Sequence, residues 1–274
     1  MRWSQRPLTV VGTVLVCAYA LAAVLSPWVA PHDPLHMYPG LALAGPSLRF
    51  PFGTDEFGRC VFSRILHGAR VSLFVAGASV ATALILGTTV GLVAGLRGGR
   101  LDNVLMRVMD VVFAFPSVLL ALFVVGVLGP APAHIVVAIG LVYAPQFARV
   151  SRAAVLTVRH LEYVEAARAL GASELRILRR HILPNVAAPL IVQVSLTLSL
   201  AILTESALSF LGLGTQPPWP SWGNMLSAGR RFMELAPWVA VFPGASIMGI
   251  VLGFNLLGDG LQELLDPRMR SEHT

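Results

Sequence analysis

The chain has 274 residues, 55% hydrophobic and 12% charged, with a formal net charge of +6 and a mean hydropathy of +0.73. Soluble domains carry about 25% charged residues, so this composition excludes a disordered chain, a collagen and a disulfide scaffold and points to a polytopic membrane protein. All 20 basic residues are Arg; without Lys there is no Walker A phosphate loop, no Schiff-base chemistry and no kinase strand lysine. Cys17 and Cys60 are too few for a disulfide framework or a metal cluster. A basic balance can mark nucleic-acid binding, but basic membrane proteins owe theirs to cytoplasmic loops, and no nucleic-acid partner is expected.

A bilayer core about 30 Å thick needs about 20 helical residues. Stretches free of Asp, Glu and Arg supply them in turn. The first runs from Pro7 to Pro31 and follows Arg2 and Arg6, as a signal peptide would. It is longer than the apolar core of a signal peptide and reads as an uncleaved anchor. A second stretch covers 71–96. A third, 111–148, is too long for one span, and Gly129-Pro130-Ala131-Pro132 splits it in two. The last two cover 182–204, running past Glu205 to Leu213, and 235–258. Six helices are predicted, near 8–30, 72–96, 109–129, 133–150, 187–212 and 238–258. If the N-terminus is inside, fourteen arginines fall in inside segments and six in outside segments. That imbalance places both termini in the cytoplasm. Cys60 is then outside and open to a membrane-impermeant maleimide, and Cys17 lies in lipid.

Between the first two spans, Asp55 can cap a helix. Phe57, Val61, Phe62, Ile65, Leu66 and Ala69 recur at helical spacing, with Arg59, Ser63, Arg64, His67 and Arg70 opposite. That pattern predicts a separate amphipathic helix over 53–70, lying at the outer interface or packed on the protein's rim. Gly87, Gly91 and Gly95 give the second span a small-residue face for close helix packing. The loop 149–184 is long and charged. His160 to Gly171 reads as helix, Gly171 breaks it, and Ser173 caps a second short helix with Glu174 in its first turn. Pro184 marks a bend toward the next span. By physics alone this loop is either a helix–turn–helix with a role or a solvated basic connection. The Trp219 and Trp222 pair in the proline-rich 217–223 stretch suits a membrane–water interface.

Other groups are weaker. Gly244-Ala245-Ser246 resembles an intramembrane serine nucleophile, but serine is ordinary in membrane helix packing. His32 and His36 lack the zinc-protease form, and Pro34 between them prevents a regular helix. Glu205 is the firmly intramembrane acid. It lies about 27 Å along a helix starting near Ala187, at 1.5 Å per residue, beside Ser206 and Ser209. A charge there is costly and faces the bundle or the path rather than lipid. Two readings stand: a buried pair with Arg230 or Arg231, or a lining residue of the outer mouth that attracts a cationic group. A channel or secondary carrier would show an internal repeat or more intramembrane ionisable residues.

Glu165-Ala166-Ala167, then Gly171, then Leu183-Pro184 resembles the EAA loop of ABC importer permeases. His181-Ile182-Leu183-Pro184-Asn185 is similar to the branch that imports dipeptides, oligopeptides or nickel. So are Phe52-Gly53-Thr54-Asp55, Gly58-Arg59, Ser63-Arg64 and the run 68–73. Further matches are 208–214, Pro220-Ser221-Trp222-Gly223, 255–261 and 265–268. Cys60, where the branch has Asp, and Gln262-Glu263, where it has Arg-Asp, depart from it. The resemblance implies an all-α integral membrane protein with the type I ABC importer permease fold, six transmembrane helices and a cytoplasmic coupling helix. It divides the chain into an anchor helix with an extracytoplasmic segment, 1–67, and a five-helix permease domain, 68–274. It implies an inner membrane location and a coupling set of Glu165, Ala166, Ala167, Gly171 and Pro184. Expected partners are a second homologous permease, two ABC ATPase subunits, an extracytoplasmic solute-binding protein and membrane lipid. The chain itself needs no cofactor, since ATP is bound by the ATPases. Dipeptides or oligopeptides are the implied substrate, with nickel or another small solute as the alternative.

Overall fold

The computed structural model describes residues 7–265, and among these every regular element is helical apart from one isolated bridge between Thr54 and Cys60. The helices are α1 (Pro7–Val29), α2 (Val61–Arg97), α3 (Gly99–Phe113), α4 (Ser117–Leu128), α5 (Pro132–Val158), α6 (Glu162–Ala169), α7 (Glu174–Ile177), α8 (Leu183–Phe210), α9 (Trp222–Gly229) and α10 (Trp238–Leu265). A π-helical turn, Leu178–Ile182, joins α7 to α8. Five helical runs are long and apolar enough to cross a membrane, and the bent pair α3–α4, taken as one broken span, makes six. Arg2, Arg6, Arg268 and Arg270, which entered the topology count, lie outside the described residues, as does the Asp266-Pro267-Arg268 end of the last motif.

Each expected span has its helix, but several boundaries move. No separate helix covers 53–70. Residues 53–60 form turns, and α2 then runs without a break for 37 residues, about 55 Å at 1.5 Å each. The expected division after residue 67 falls within this helix. Two of the three arginines on its polar face are buried, while Arg70 is exposed: Arg59 Nε donates to Asp55 Oδ2 at 2.7 Å and Arg64 Nη1 to the Pro34 carbonyl at 3.1 Å. With their charges met inside, nothing stops the span at Val71. Asp55 caps no helix; its Oδ1 accepts from the backbone N–H groups of Phe57 and Arg59, both at 2.9 Å.

The third span is not one helix over 109–129. It is two, α3 and α4, meeting at a bend of 90°. Pro116 disfavours helical geometry at Phe115, and Arg100, Asp102, Arg107 and Asp110 make α3 far more polar than α4. The fourth reaches Val158 rather than stopping at 150, because arginines on its last turns find partners on α2 and α3.

The core is built on the seam between α2 and α5. A Cβ on Gly87 would strike the Ala144 carbonyl, and one on Gly91 the Ala148 carbonyl. One on Gly95 would come within 2.8 Å of the Val155 side chain. The small-residue face predicted on the second span therefore brings two backbones together, as close-packed membrane helices require. Buried Val80, Ala83, Ile139 and Phe147 fill the space beside it. On the far side, α8 joins α5 through Tyr143 Oη and Thr204 Oγ1 at 2.8 Å. It joins α10 through Ser199 Oγ and Asn255 Oδ1 at 2.8 Å. Helix α1 packs along α10, where a Cβ on Gly253 would lie 3.1 Å from Leu15 Cβ.

Candidate functional site

Beyond Val158 the chain leaves the bundle and folds into the predicted helix–turn–helix. Glu162 and Glu165 lie in the first turn of α6, where carboxylates suit the positive end of the helix dipole. The helix ends at Gly171, whose φ is +82°. Gly171 N–H donates to the Arg168 carbonyl at 3.0 Å and Ala172 N–H to the Ala167 carbonyl at 3.1 Å. That is the double bond pattern of a glycine C-terminal cap. Ser173 Oγ then accepts from Arg176 N–H at 3.4 Å and starts α7. Arg168 Nε donates to Glu174 Oε1 at 2.9 Å across the turn, and this bond holds the Arg168 guanidinium above its ordinary pKa.

The loop has a core of its own. Val164, Ile177 and Ile182 are buried against Val155, Val158 and Val186, so α6 and α7 fold back onto the ends of α5 and α8. The opposite side stays open: Leu170 is 89% exposed, and Leu161, Tyr163 and Leu175 are exposed around it. Glu165 and Ala166 are on the surface and Ala167 is half-buried. Pro184 sits in the first turn of α8, and having no N–H it leaves the Arg180 carbonyl without its helical donor. The π-helical turn absorbs the register change: Leu183 N–H donates back to the Leu178 carbonyl. Asn185 Nδ2 supplies a further bond, to the His181 carbonyl at 2.6 Å. No sharp bend follows, and 174–210 passes as one membrane-length run.

At the other end of the bundle, Glu205, Ser206 and Ser209 are brought together, but inside the chain's own core. Glu205 is fully buried. Ser209 Oγ donates to Oε1 at 2.8 Å and Ser206 Oγ to Oε2 at 3.5 Å, and the Ser72 hydroxyl of α2 lies close enough to interact with the carboxyl. Ser72 Oγ also accepts from Trp222 N–H at 3.4 Å, and Trp222 Nε1 donates to the Ile65 carbonyl at 3.1 Å. The carboxyl thus ties α8 to α2 and to the start of α9. The expected partners Arg230 and Arg231 are on the surface, and Arg230 lies over the Phe210 ring, 6.0 Å from its centroid. The interfacial tryptophan pair is likewise divided: Trp219 is exposed and Trp222 is buried.

The segment 30–60 caps this end. Its centre is Asp55, bonded to Arg59 and 3.4 Å from Arg64 Nε. Trp238 Nε1 of α10 donates to the Thr54 carbonyl at 3.2 Å. His32 stacks on Phe50 at 4.8 Å and His36 meets the Tyr38 ring at 4.5 Å, so both rings serve an aromatic cluster. Cys60 is fully buried beneath the cap, whereas Cys17 is exposed on α1. Cys60 is therefore closed to the maleimide that the sequence reading assigned to it. Composition gave no signal for these buried ion pairs; an acid four residues from an Arg is the only hint the sequence holds.

Residues 87–271 match the family described as binding-protein-dependent transport system inner membrane component. Residues 1–46 match the N-terminal TM domain of oligopeptide transport permease C. The dipeptide transport system permease protein DppC of Alkalihalophilus pseudofirmus is 47% identical over 97% of this chain and 88% of its own length. The di/tripeptide transport system permease protein DppC of Pseudomonas aeruginosa is 45% identical over 95% and 88%. Among solved structures, the inward-facing MetNI methionine ABC transporter matches with a TM-score of 0.60 at 18% identity, over 75% of this chain and 97% of that one. That likeness concerns the fold, a type I importer permease. Apolar helices of membrane length, the folded EAA loop between the fourth and fifth spans and the family match agree: the chain is a multi-pass membrane protein belonging to the inner membrane components of binding-protein-dependent transport systems, the permeases of ABC importers.

Proposed function

We propose that the chain is one permease subunit of a peptide importer, paired with a second homologous permease, two ABC ATPase subunits and an extracytoplasmic binding protein. The names of the relatives at 47% and 45% identity support dipeptides or tripeptides over nickel. The chain forms part of the path and makes no covalent chemistry. ATP is bound by the ATPases, a reading supported by the lack of any Lys for a phosphate loop. The loop 159–184 and both termini lie in the cytoplasm, as the arginine imbalance favours. Helix α1 and the cap are an addition to the permease unit that α2 to α10 form.

One observation carries the coupling role. The loop is held in shape by its own buried core yet leaves Leu170, 89% exposed, at the tip of its turn. With Leu161, Tyr163 and Leu175 also exposed on the loop, it offers apolar surface of the kind that fits a pocket on another subunit. Helices α5 and α8 leave this loop in opposite directions of the chain and run directly into the bundle. A push on the loop by a closing ATPase pair therefore tilts two spans together and opens the path to the other side. The burial of Glu205, Ser206 and Ser209 supports a holding role at the outer ends of α2, α8 and α9 rather than a lining role. Leu170→Asp tests the docking reading in the complete importer. ATPase co-purification and uptake of a labelled dipeptide should fall while membrane insertion stays normal; full co-purification with normal uptake would refute it.

A further inference from the structure

Arg149 and Arg152 on α5, and Arg159 just after it, hold α3 and the end of α2. Arg152 makes a two-bond fork with Asp102 on α3, Nε to Oδ1 at 2.6 Å and Nη2 to Oδ2 at 2.7 Å. Arg149 Nη2 donates to Asp110, also on α3, at 2.8 Å. Arg159 Nη1 donates to the Gly95 carbonyl near the end of α2 at 2.7 Å. The three arginines are not equal in their hold. Arg149 and Asp110 are both largely open to solvent, and such pairs contribute little. Asp102 is 7% exposed, and the planar guanidinium matches its carboxylate in both bonds, the stronger and more directional form.

The position of this clamp matters more than its strength. Arg152 lies seven residues before Arg159, where α5 gives way to the coupling loop. Asp102 lies in the first turn of α3, which passes through the 90° bend into α4. The chain between Gly98 and Phe115 has no deep core of its own: Asp102 is the one buried residue of α3. Apart from its chain links to α2 and α4, this stretch is therefore held to the bundle by contacts with the helix that carries the loop: the Asp102–Arg152 fork, and Arg149, which bonds Asp110 and lies 4.2 Å from the Phe113 ring centroid.

We propose that α3 is part of the transmission element, with Asp102 and Arg152 as positioning residues that make it travel with α5, as α4 already does through buried Ala121 and Val125, so that α3, α4 and α5 move as one body. This rests on the reading of 159–184 as the loop that receives the ATPase motion. Without the clamp, α5 and α4 would move and leave α3 behind, and ATP would be hydrolysed with less transport.

The test uses the complete importer in proteoliposomes, in a Cys17→Ser background. Asp102→Cys with Arg152→Cys removes the clamp, and a short bismaleimide then replaces it. Uptake per ATP hydrolysed should fall about fivefold or more in the unlinked variant, the lower end of ordinary coupling energies. It should recover on linking. Normal uptake per ATP in the unlinked variant, or arrest on linking, would overturn the proposal, since arrest would mean that α3 must slide against α5. If the cysteine pair does not assemble, Arg152→Lys keeps the charge without the fork. Lower uptake per ATP at normal assembly then supports the clamp, and an unchanged ratio overturns it. Gly171→Val run in parallel separates two failures. If it too leaves coupling intact, the loop reading falls; if it uncouples while the clamp variants do not, only this inference falls.

Discussion

The φ of +82° at Gly171 makes a graded prediction. A side chain in the left-handed region meets the following carbonyl at a cost of about 1–2 kcal/mol, and a β-branched one fits worse still. Nothing in this chain lies within 4 Å of a Cβ built there, so the cost is one of backbone conformation and not of space. About 1–2 kcal/mol changes a two-state ratio about 5- to 30-fold. The two cap bonds to the carbonyls of Arg168 and Ala167 depend on this geometry, so the change falls on the population of correctly turned loop. Asn tolerates the left-handed region, which separates the variants. Gly171→Asn should keep most binding-protein-stimulated ATP hydrolysis and uptake, Gly171→Ala should lose part, and Gly171→Val should lose about fivefold or more. Each should insert in the membrane at the normal level. Normal uptake by Gly171→Val would refute the conformational argument. An Asn variant as poor as the Val variant would refute it differently, by showing that a partner subunit leaves no room for any side chain.

Gly91→Leu forces a side chain onto the Ala148 carbonyl. It should lower the thermal midpoint in detergent through a cost of about 1–3 kcal/mol; an unchanged midpoint would mean that α2 and α5 do not pack as described. Glu205→Gln should be nearly silent in stability, because the serine hydroxyls around it can turn to accept as well as donate. Glu205→Leu should cost about 1–3 kcal/mol by leaving buried hydroxyls unpaired, and equal damage from both would show that the charge itself is needed. Cys60, with no exposed surface, should resist an impermeant maleimide in native membranes and react after denaturation. Leu48→Cys, at a fully exposed site on the cap, should report the outer face from intact cells; labelling only in inverted vesicles would reverse the topology.

Apolar length and proline placement made the spans legible, since lipid leaves a helix few alternatives. The EAA spacing, Gly171 and Ser173 made the loop legible, because caps and left-handed turns are local chemistry carried by single residues. Neither kind of signal reaches across the fold. Nothing local distinguishes an arginine that ends a helix from one that lies inside it. Arg59 and Arg64 therefore read as a solvent face, and the sequence boundary of the second span fell ten residues late. The bend before Ser117 was missed for a related reason. Residues 109–129 are apolar enough to cross, and the bond partners of Asp102 and Asp110 on α5, which together with Pro116 set the direction of α3, lie far away in sequence.

The same distinction bears on topology. A count of arginines treats each as equally free, and six on the outer side weaken an imbalance of fourteen to six. Two of those six, Arg59 and Arg64, are buried and share Asp55. A charge of this kind has a partner that fixes its place in the fold, whichever way the loop faces the membrane potential. Arg49 is also engaged, lying 5.1 Å from the Tyr38 ring centroid. On the opposite side Arg176, Arg179 and Arg180 are all exposed and line an open cleft with Ser173 and Leu175. These are surface charges of the kind that orient a membrane protein by staying in the cytoplasm. The same discount removes Arg149, Arg152, Arg159 and Arg168, which also have partners; with Arg49, Arg59 and Arg64 taken from the other side, ten stand against three, so the imbalance keeps its sign, and the side that carries the loop is the side that keeps unburied positive charge.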